Sequence, residues 1–180
     1  MRILLDACIL YPTIMRETLL GAASEGAFEP LWSARILQEW QYAATRLGVE
    51  QAQVAGVEIA LLRAKWSKSE ITASDPGDLW LPDENDIHVL AAAIKGNADI
   101  IMTRNLKDFP TRILSNHQII RRDPDSFLVE FTNENPVAML RVAKNIHKAA
   151  ERHSGETKDI RKLLKRTGLP RLGKRLSAQA

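Results

Sequence analysis

The chain's 180 residues, 45% of them hydrophobic and 26% charged, suit one globular domain with an appendage. Its net charge of +3 conceals a division: residues 136–180 hold 12 Lys and Arg against 3 Asp and Glu, a balance of +9, whereas residues 1–135 hold 13 against 19, a balance of −6. No window approaches 18 uninterrupted apolar residues, Asp6 breaks the apolar N-terminal run, and Cys8 is the single cysteine, so no membrane span, signal peptide or disulfide framework is expected and a reducing cytoplasm is.

In chain order, RILL (2–5) reads as a short buried strand that ends at Asp6. Residues 13–25 predict a helix with Ile14, Leu19, Leu20 and Ala23 on its apolar side, stopped by Gly26. Ser33 is placed to cap a helix running to about Leu47, which Gly48 ends. A longer helix, about 50–67, follows with Val54, Val57, Ala60, Leu61 and Ala64 at helical spacing as its core face. TASDPGDLWLPDEND is turn-rich and polar and reads as a loop, and IHVLAAAIKG as a helix ending near Gly96. ADIIMT (98–103) has strand length and runs into the polar RNLKDFP, and another short strand falls near 118–121. Strands alternating with helices predict an α/β fold, a central parallel sheet flanked by helices on both faces. Residues 1–135 are expected to form the main domain, and 136–180 a basic helical extension.

Parallel sheets bind ligands at the carboxyl ends of their strands. Asp6 follows the first strand, and Asn105 and Asp108 follow ADIIMT, which Thr103 ends, so both groups point to one sheet edge. Asp83 and Asp86 open the preceding helix, and Glu39 lies midway along the Ser33 helix. Each has an ordinary reading as well. Asp83 suits a helix cap with Asp86 in the first turn, Glu39 a solvated helix face, and Asn105 and Asp108 a turn before Pro110. Asp6 is hardest to explain that way, because it abuts a core strand. Carboxylates that converge repel one another unless a cation neutralises them. The candidate ligands all carry oxygen, and the four His are scattered, so the donor set suits Mg²⁺ or Mn²⁺ rather than zinc.

LLDACILYP, LWSARILQEW and LPDENDIHVLAAAIKGNADIIMTRNLKDFP together resemble the PIN-domain ribonucleases, specifically the VapC-like toxin branch, over roughly residues 1–130. The resemblance implies a PIN-like fold and metal-dependent endoribonuclease activity in the toxin of a toxin–antitoxin pair. It places the family's acidic residues on Asp6, Glu39 and Asp86, with Asp83 beside the last. Asn105 stands where many members carry aspartate, and either it or Asp108 completes the site. The implied partners are an RNA substrate, a small antitoxin and a second copy in a homodimer. Thr103 and Asn105 are candidates for orienting water or ligand, against a plain turn-forming role. Arg16, in the helix after Asp6, is a candidate for holding phosphate or an acidic side chain, against a solvated position. Arg104 and the tail residues Lys144, Lys148, Lys162, Lys165 and Arg166 are candidate RNA contacts, against a merely solvated face.

Two rival readings frame these expectations. A haloacid-dehalogenase-type phosphatase also puts an Asp after its first strand, but needs a second Asp two residues on, where this chain has Cys8. A catalytically silent PIN-like module would bind RNA or a partner without cutting.

Overall fold

In a computed structural model of the chain, residues 1–72, 75–154 and 159–178 are described. Residues 73–74 of the expected loop, and 155–158 and 179–180 of the expected extension, lie outside them. The chain forms two compact units: residues 1–11 with 29–122, and residues 12–28 with 123–180. The expected boundary after residue 135 falls inside the second unit.

The first unit contains β1 (Arg2–Leu5) and the short α1 (Ala7–Leu10). The second unit begins with α2 (Thr13–Ser24). The first unit resumes with β2 (Glu29–Ser33), α3 (Ala34–Thr45), α4 (Val49–Lys65) and β3 (Glu70–Ile71). It continues through α5 (Ile87–Lys95), β4 (Ile100–Met102), α6 (Thr111–Ser115) and β5 (Ile120–Arg122). The second unit ends with α7 (Pro124–Glu134), α8 (Pro136–Ser154), α9 (Ile160–Arg166) and α10 (Pro170–Ser177).

All five strands are parallel, in the order β3-β2-β1-β4-β5. Ile3, Leu4 and Leu5 are each fully buried. Successive strand residues face opposite sides, so an unbroken buried run means that both faces of β1 are covered, as a parallel sheet requires. On leaving β1 the chain builds β2 and β3 to one side, then returns to build β4 and β5 on the other. The order therefore reverses between β1 and β4, the place where an open parallel sheet leaves a crevice at its carboxyl edge. The register Leu5↔Met102 puts Asp6 and Thr103 side by side there, and the Asp6 amide donates to Met102 O at 3.1 Å.

Several local expectations agree with the structure. Ser33 Oγ accepts from the Ile36 amide at 3.3 Å and caps α3, and Gly26 closes α2 with φ of +87°. Two strands, β2 and β3, carry no strand-like alternation and were not expected. The face expected for α4 is corrected: Val54, Val57, Ala60, Leu61 and Ala64 are all exposed, and Ala55, Ile59 and Leu62 are buried instead. The helix has apolar residues on two sides, so periodicity alone does not select one. Packing on α3 does, with Gln41 Nε2 donating to Ala52 O at 2.8 Å.

The second unit is helical. At Gly21 an added Cβ would lie 2.8 Å from Val142 Cγ1, so the missing side chain is what lets α2 approach α8 closely. Phe28 and Phe127 meet edge to face at 5.4 Å. Among the described residues no helix is long and apolar enough to cross a membrane.

Candidate functional site

The carboxyl edge of the sheet carries the candidate site. Asp6 is buried at the end of β1, which is tolerated because it is well supplied with donors. Thr103 Oγ1 donates to Asp6 Oδ2 at 2.7 Å, and Cys8 Sγ donates to the same oxygen at 3.0 Å. Both donors are held in turn. The Asn105 amide donates to Thr103 Oγ1 at 2.9 Å, and the Arg104 amide donates to Cys8 Sγ at 3.3 Å. With each group accepting from one of those amides, its own hydrogen is left to point at Asp6. Oδ1 is the Asp6 oxygen that neither donor engages. Burial, with the Asp6 charge adding to it, pushes the Cys8 thiol up to about 12, so it stays protonated and remains a donor.

Asp83, Asp86 and Asp108 converge: one carboxylate oxygen from each lies within 4.8 Å of the other two. Asp83 caps the 3₁₀ turn at Glu84–Asp86, its Oδ1 accepting from the Asn85 amide at 2.9 Å, and Asp86 leads into α5. Asp108 closes a second 3₁₀ turn, Leu106–Asp108, just past β4. Asn105 Nδ2 donates to Asp108 Oδ2, so these two residues act together at one place. Arg121, on β5, donates from Nη1 to Phe109 O at 2.8 Å and also to Leu106 O, which fastens the turn that carries Asp108.

Asp86 bears the electrostatic cost. Its carboxyl is pushed up to about 6, first by burial and then by the negative charges of Asp6, Asp83, Asp108 and Glu39. Its Oδ2 is buried with no hydrogen-bond partner. An orphaned carboxylate oxygen among all-oxygen neighbours, each repelling the next, is a donor set that a hard divalent cation fits. Glu39 is half-exposed beside this group: Arg35 Nε lies 3.8 Å from its Oε1, and His88 Nε2 lies 2.6 Å from it without hydrogen-bond alignment.

The first unit thus brings Asp6, Asp83, Asp86, Thr103, Asn105 and Asp108 to one edge, with Glu39 close enough for its charge to be felt at Asp86. Asp83, expected in support, belongs to the tight trio. Asp6, expected as a ligand, stands outside that trio with one oxygen already engaged. Arg104 is exposed, and its amide holds Cys8. Arg16 lies in the second unit, buried in α2 rather than solvated, with Nε 3.7 Å from Glu17. Sequence reasoning passed over Cys8, His88 and Arg121. Cys8 and His88 stand two residues beyond Asp6 and Asp86, a spacing that would have marked them. Nothing in the sequence around Arg121 signals its role.

A parallel sheet whose switch point gathers carboxylates defines the class, and residues 2–107 match the PIN domain family, so the chain belongs to that family. Over 45 residues, a quarter of this chain and 27% of the relative, it is 49% identical to the "Putative ribonuclease VapC50" of Mycobacterium tuberculosis. The match thus spans little more than a quarter of that relative's length. The fold is similar to a chain in the crystal structure of VapBC2 from Rickettsia felis bound to a DNA fragment from their promoter. That likeness has a TM-score of 0.50 and 20% identity, and covers 68% of this chain and 98% of the other.

Proposed function

We propose that this PIN-domain protein is an endoribonuclease dependent on Mg²⁺ or Mn²⁺, and the toxin of a toxin–antitoxin pair. The observation that carries the reading is the buried, unpartnered Asp86 Oδ2 within a group of carboxylates at the β1/β4 switch point. Asp83, Asp86 and Asp108 would hold the ion, with Asp6 near enough for its charge to act on Asp86. Bound there, a hard divalent ion lowers the pKa of water and stabilises the charge that develops as a phosphodiester is hydrolysed.

The chain's own residues supply the positioning. Thr103 and Cys8 fix the rotamer of Asp6, Asn105 and Arg121 hold Asp108 and its turn, and Glu39 adds negative charge beside the trio. Arg104, exposed next to this edge, is placed to meet the RNA backbone. Within the second unit, the exposed Lys144, Lys148, Lys162, Lys165 and Arg166 would offer further contacts to phosphate. The resemblance to VapC toxins supports a small antitoxin as partner, a homodimer as working form and the cytoplasm as setting.

The test is RNA incubated with the protein and Mg²⁺ or Mn²⁺, with and without EDTA, and with Asp6→Asn. Cleavage is expected to need the metal and to fall about a thousandfold in the variant, the scale on which removing one electrostatic stabiliser acts. Binding of RNA with no cleavage under any metal would replace this reading with the silent module.

A further inference from the structure

The strongest unassigned feature lies in the second unit. Residues 160–178 hold seven Lys and Arg and no Asp or Glu, and all seven cations are exposed. The apolar side of this segment is buried through Leu164, Leu169, Leu172 and Leu176. α9 and α10 close on each other at Gly173, where an added Cβ would lie 3.1 Å from Arg161 O. One carboxylate docks the pair: Asp125 of α7 accepts from the Arg171 amide at 2.8 Å and the Leu172 amide at 2.9 Å, capping α10 from another helix. Two of the seven cations assist the docking. Arg171 Nη1 donates to Ser126 Oγ at 2.7 Å, and Arg175 Nε donates to Asn133 Oδ1 at 3.0 Å. The other five are Arg161, Lys162, Lys165, Arg166 and Lys174.

We propose that the α9–α10 hairpin is a phosphate-binding element that holds RNA by its backbone without reading its sequence. The choice of RNA as the polyanion rests on the ribonuclease reading above; the rest follows from the chemistry of the hairpin. Arg161 with Lys165, and Lys162 with Arg166, are like charges four residues apart on one helix, an arrangement that costs helix stability. The acidic residue beside the segment, Asp159, is engaged as the cap of α9, its Oδ1 accepting from the Arg161 amide at 2.8 Å and the Lys162 amide at 3.3 Å, so an external anion is the natural complement of the cationic side chains. A protein partner would need an apolar or aromatic centre on this surface. No large apolar side chain of the segment is exposed among the described residues. Residues 136–180 contain no Phe, Tyr or Trp, the strongest base-stacking side chains, so phosphate contacts are the recognition this surface favours. α8 is a weaker candidate despite Lys144 and Lys148, because its Arg141 is committed to Glu25 at 2.5 Å.

The experiment measures binding of the full chain in EDTA to two labelled oligoribonucleotides of equal length and unrelated sequence, across a range of salt. The triple substitution Lys162→Gln, Lys165→Gln, Arg166→Gln should weaken both complexes by tenfold or more. It should also flatten the dependence of log affinity on log salt by about 2, since each phosphate contact on a single strand contributes about 0.7. Lys165→Gln with Lys174→Gln serves as the second, milder variant, and unchanged thermal unfolding checks the fold of both. Unchanged affinity and slope would overturn the proposal. So would a loss confined to one sequence, or a loss of binding to polyglutamate with RNA binding intact, which would mark a protein-docking surface. Cleavage plays no part in EDTA, so the two readings fail separately. Steep, salt-sensitive binding by a protein that never cuts RNA sinks the nuclease alone, and normal cleavage with wild-type binding by the triple variant sinks the hairpin alone.

Discussion

The acidic edge of the first unit and the basic hairpin of the second concentrate charge in opposite ways. Asp6, Asp83, Asp86 and Asp108 come from segments up to 102 positions apart and meet half-buried or buried, with one oxygen left unpartnered. The seven cations of α9 and α10 are neighbours in sequence and all remain in water. Buried like charges cost free energy that solvent cannot screen, whereas exposed ones are screened within about a Debye length. The first arrangement therefore fixes a geometry for one small ion, and the second spreads a field suited to a long polyanion. A carboxylate withdrawn from water fares differently in the two units: half-buried Asp86 is repelled by its neighbours, and buried Asp125 is satisfied by two helix amides.

That contrast in sign can be broken by substitution. The largest effect is expected for Asp125→Ala, which leaves the Arg171 and Leu172 amides without their acceptor. It should lower the stability of the chain by about 2 kcal/mol in denaturant unfolding, the cost of a helix cap made of two charge-assisted hydrogen bonds. An unfolding midpoint that does not move would mean that the hairpin is docked by its leucines alone.

A smaller effect is expected at Thr103→Val, which keeps the side-chain shape and removes the donor to Asp6. RNA cleavage should drop roughly tenfold, about 1.4 kcal/mol, and unfolding should show a loss of about 1 kcal/mol, because the Asn105 amide loses its acceptor at the same time. Mn²⁺ affinity measured by titration calorimetry should fall with it, and equal affinity would show that Cys8 is sufficient to hold Asp6.

The smallest effect has the reverse sign. The Asp86 carboxyl is raised from 3.8 to about 6 in the folded chain, so the native state binds this proton more tightly than the unfolded state does. Stability from this group is therefore highest below pH 4, falls as pH rises from about 4 to 6, and stays low above that. Asp86→Asn should stabilise the metal-free protein at pH 7.5 by about 1 kcal/mol, once solvent screening of a half-buried group is allowed for. The gain should vanish below pH 4. Added Mg²⁺ should raise the melting temperature of the wild type and not that of the variant. A variant that melts lower than wild type without metal would show the site to be preorganised at no cost.

Legibility differed between the two regions for the same physical reasons. The hairpin's charge is local, so a count of Lys and Arg finds it. Its docking rests on Asp125, 46 residues from Arg171, and no pattern around PDSF marks that aspartate as a cap. At the acidic edge, Asp6 stood out because a carboxylate beside RILL needs an explanation. Asp83 and Asp86 stood out because they open a helix. The inclusion of Asp83 in the trio depended on how two 3₁₀ turns face each other. The misjudged face of α4 shows the limit of periodicity where a helix is apolar on two sides. The unexpected β2 shows the same limit where EPLWS lacks alternation because nearly all of it is buried.

By itself the sequence determined the elements whose causes are local: a strand of consecutive apolar residues, a serine cap, a glycine stop, and a division of charge along the chain. Only the tertiary structure decided which carboxylates meet, which oxygen of Asp6 is engaged, and which face of α4 is buried. Those outcomes depend on the sheet order and on packing between residues distant in sequence, where position in space, and not position along the chain, sets the interaction.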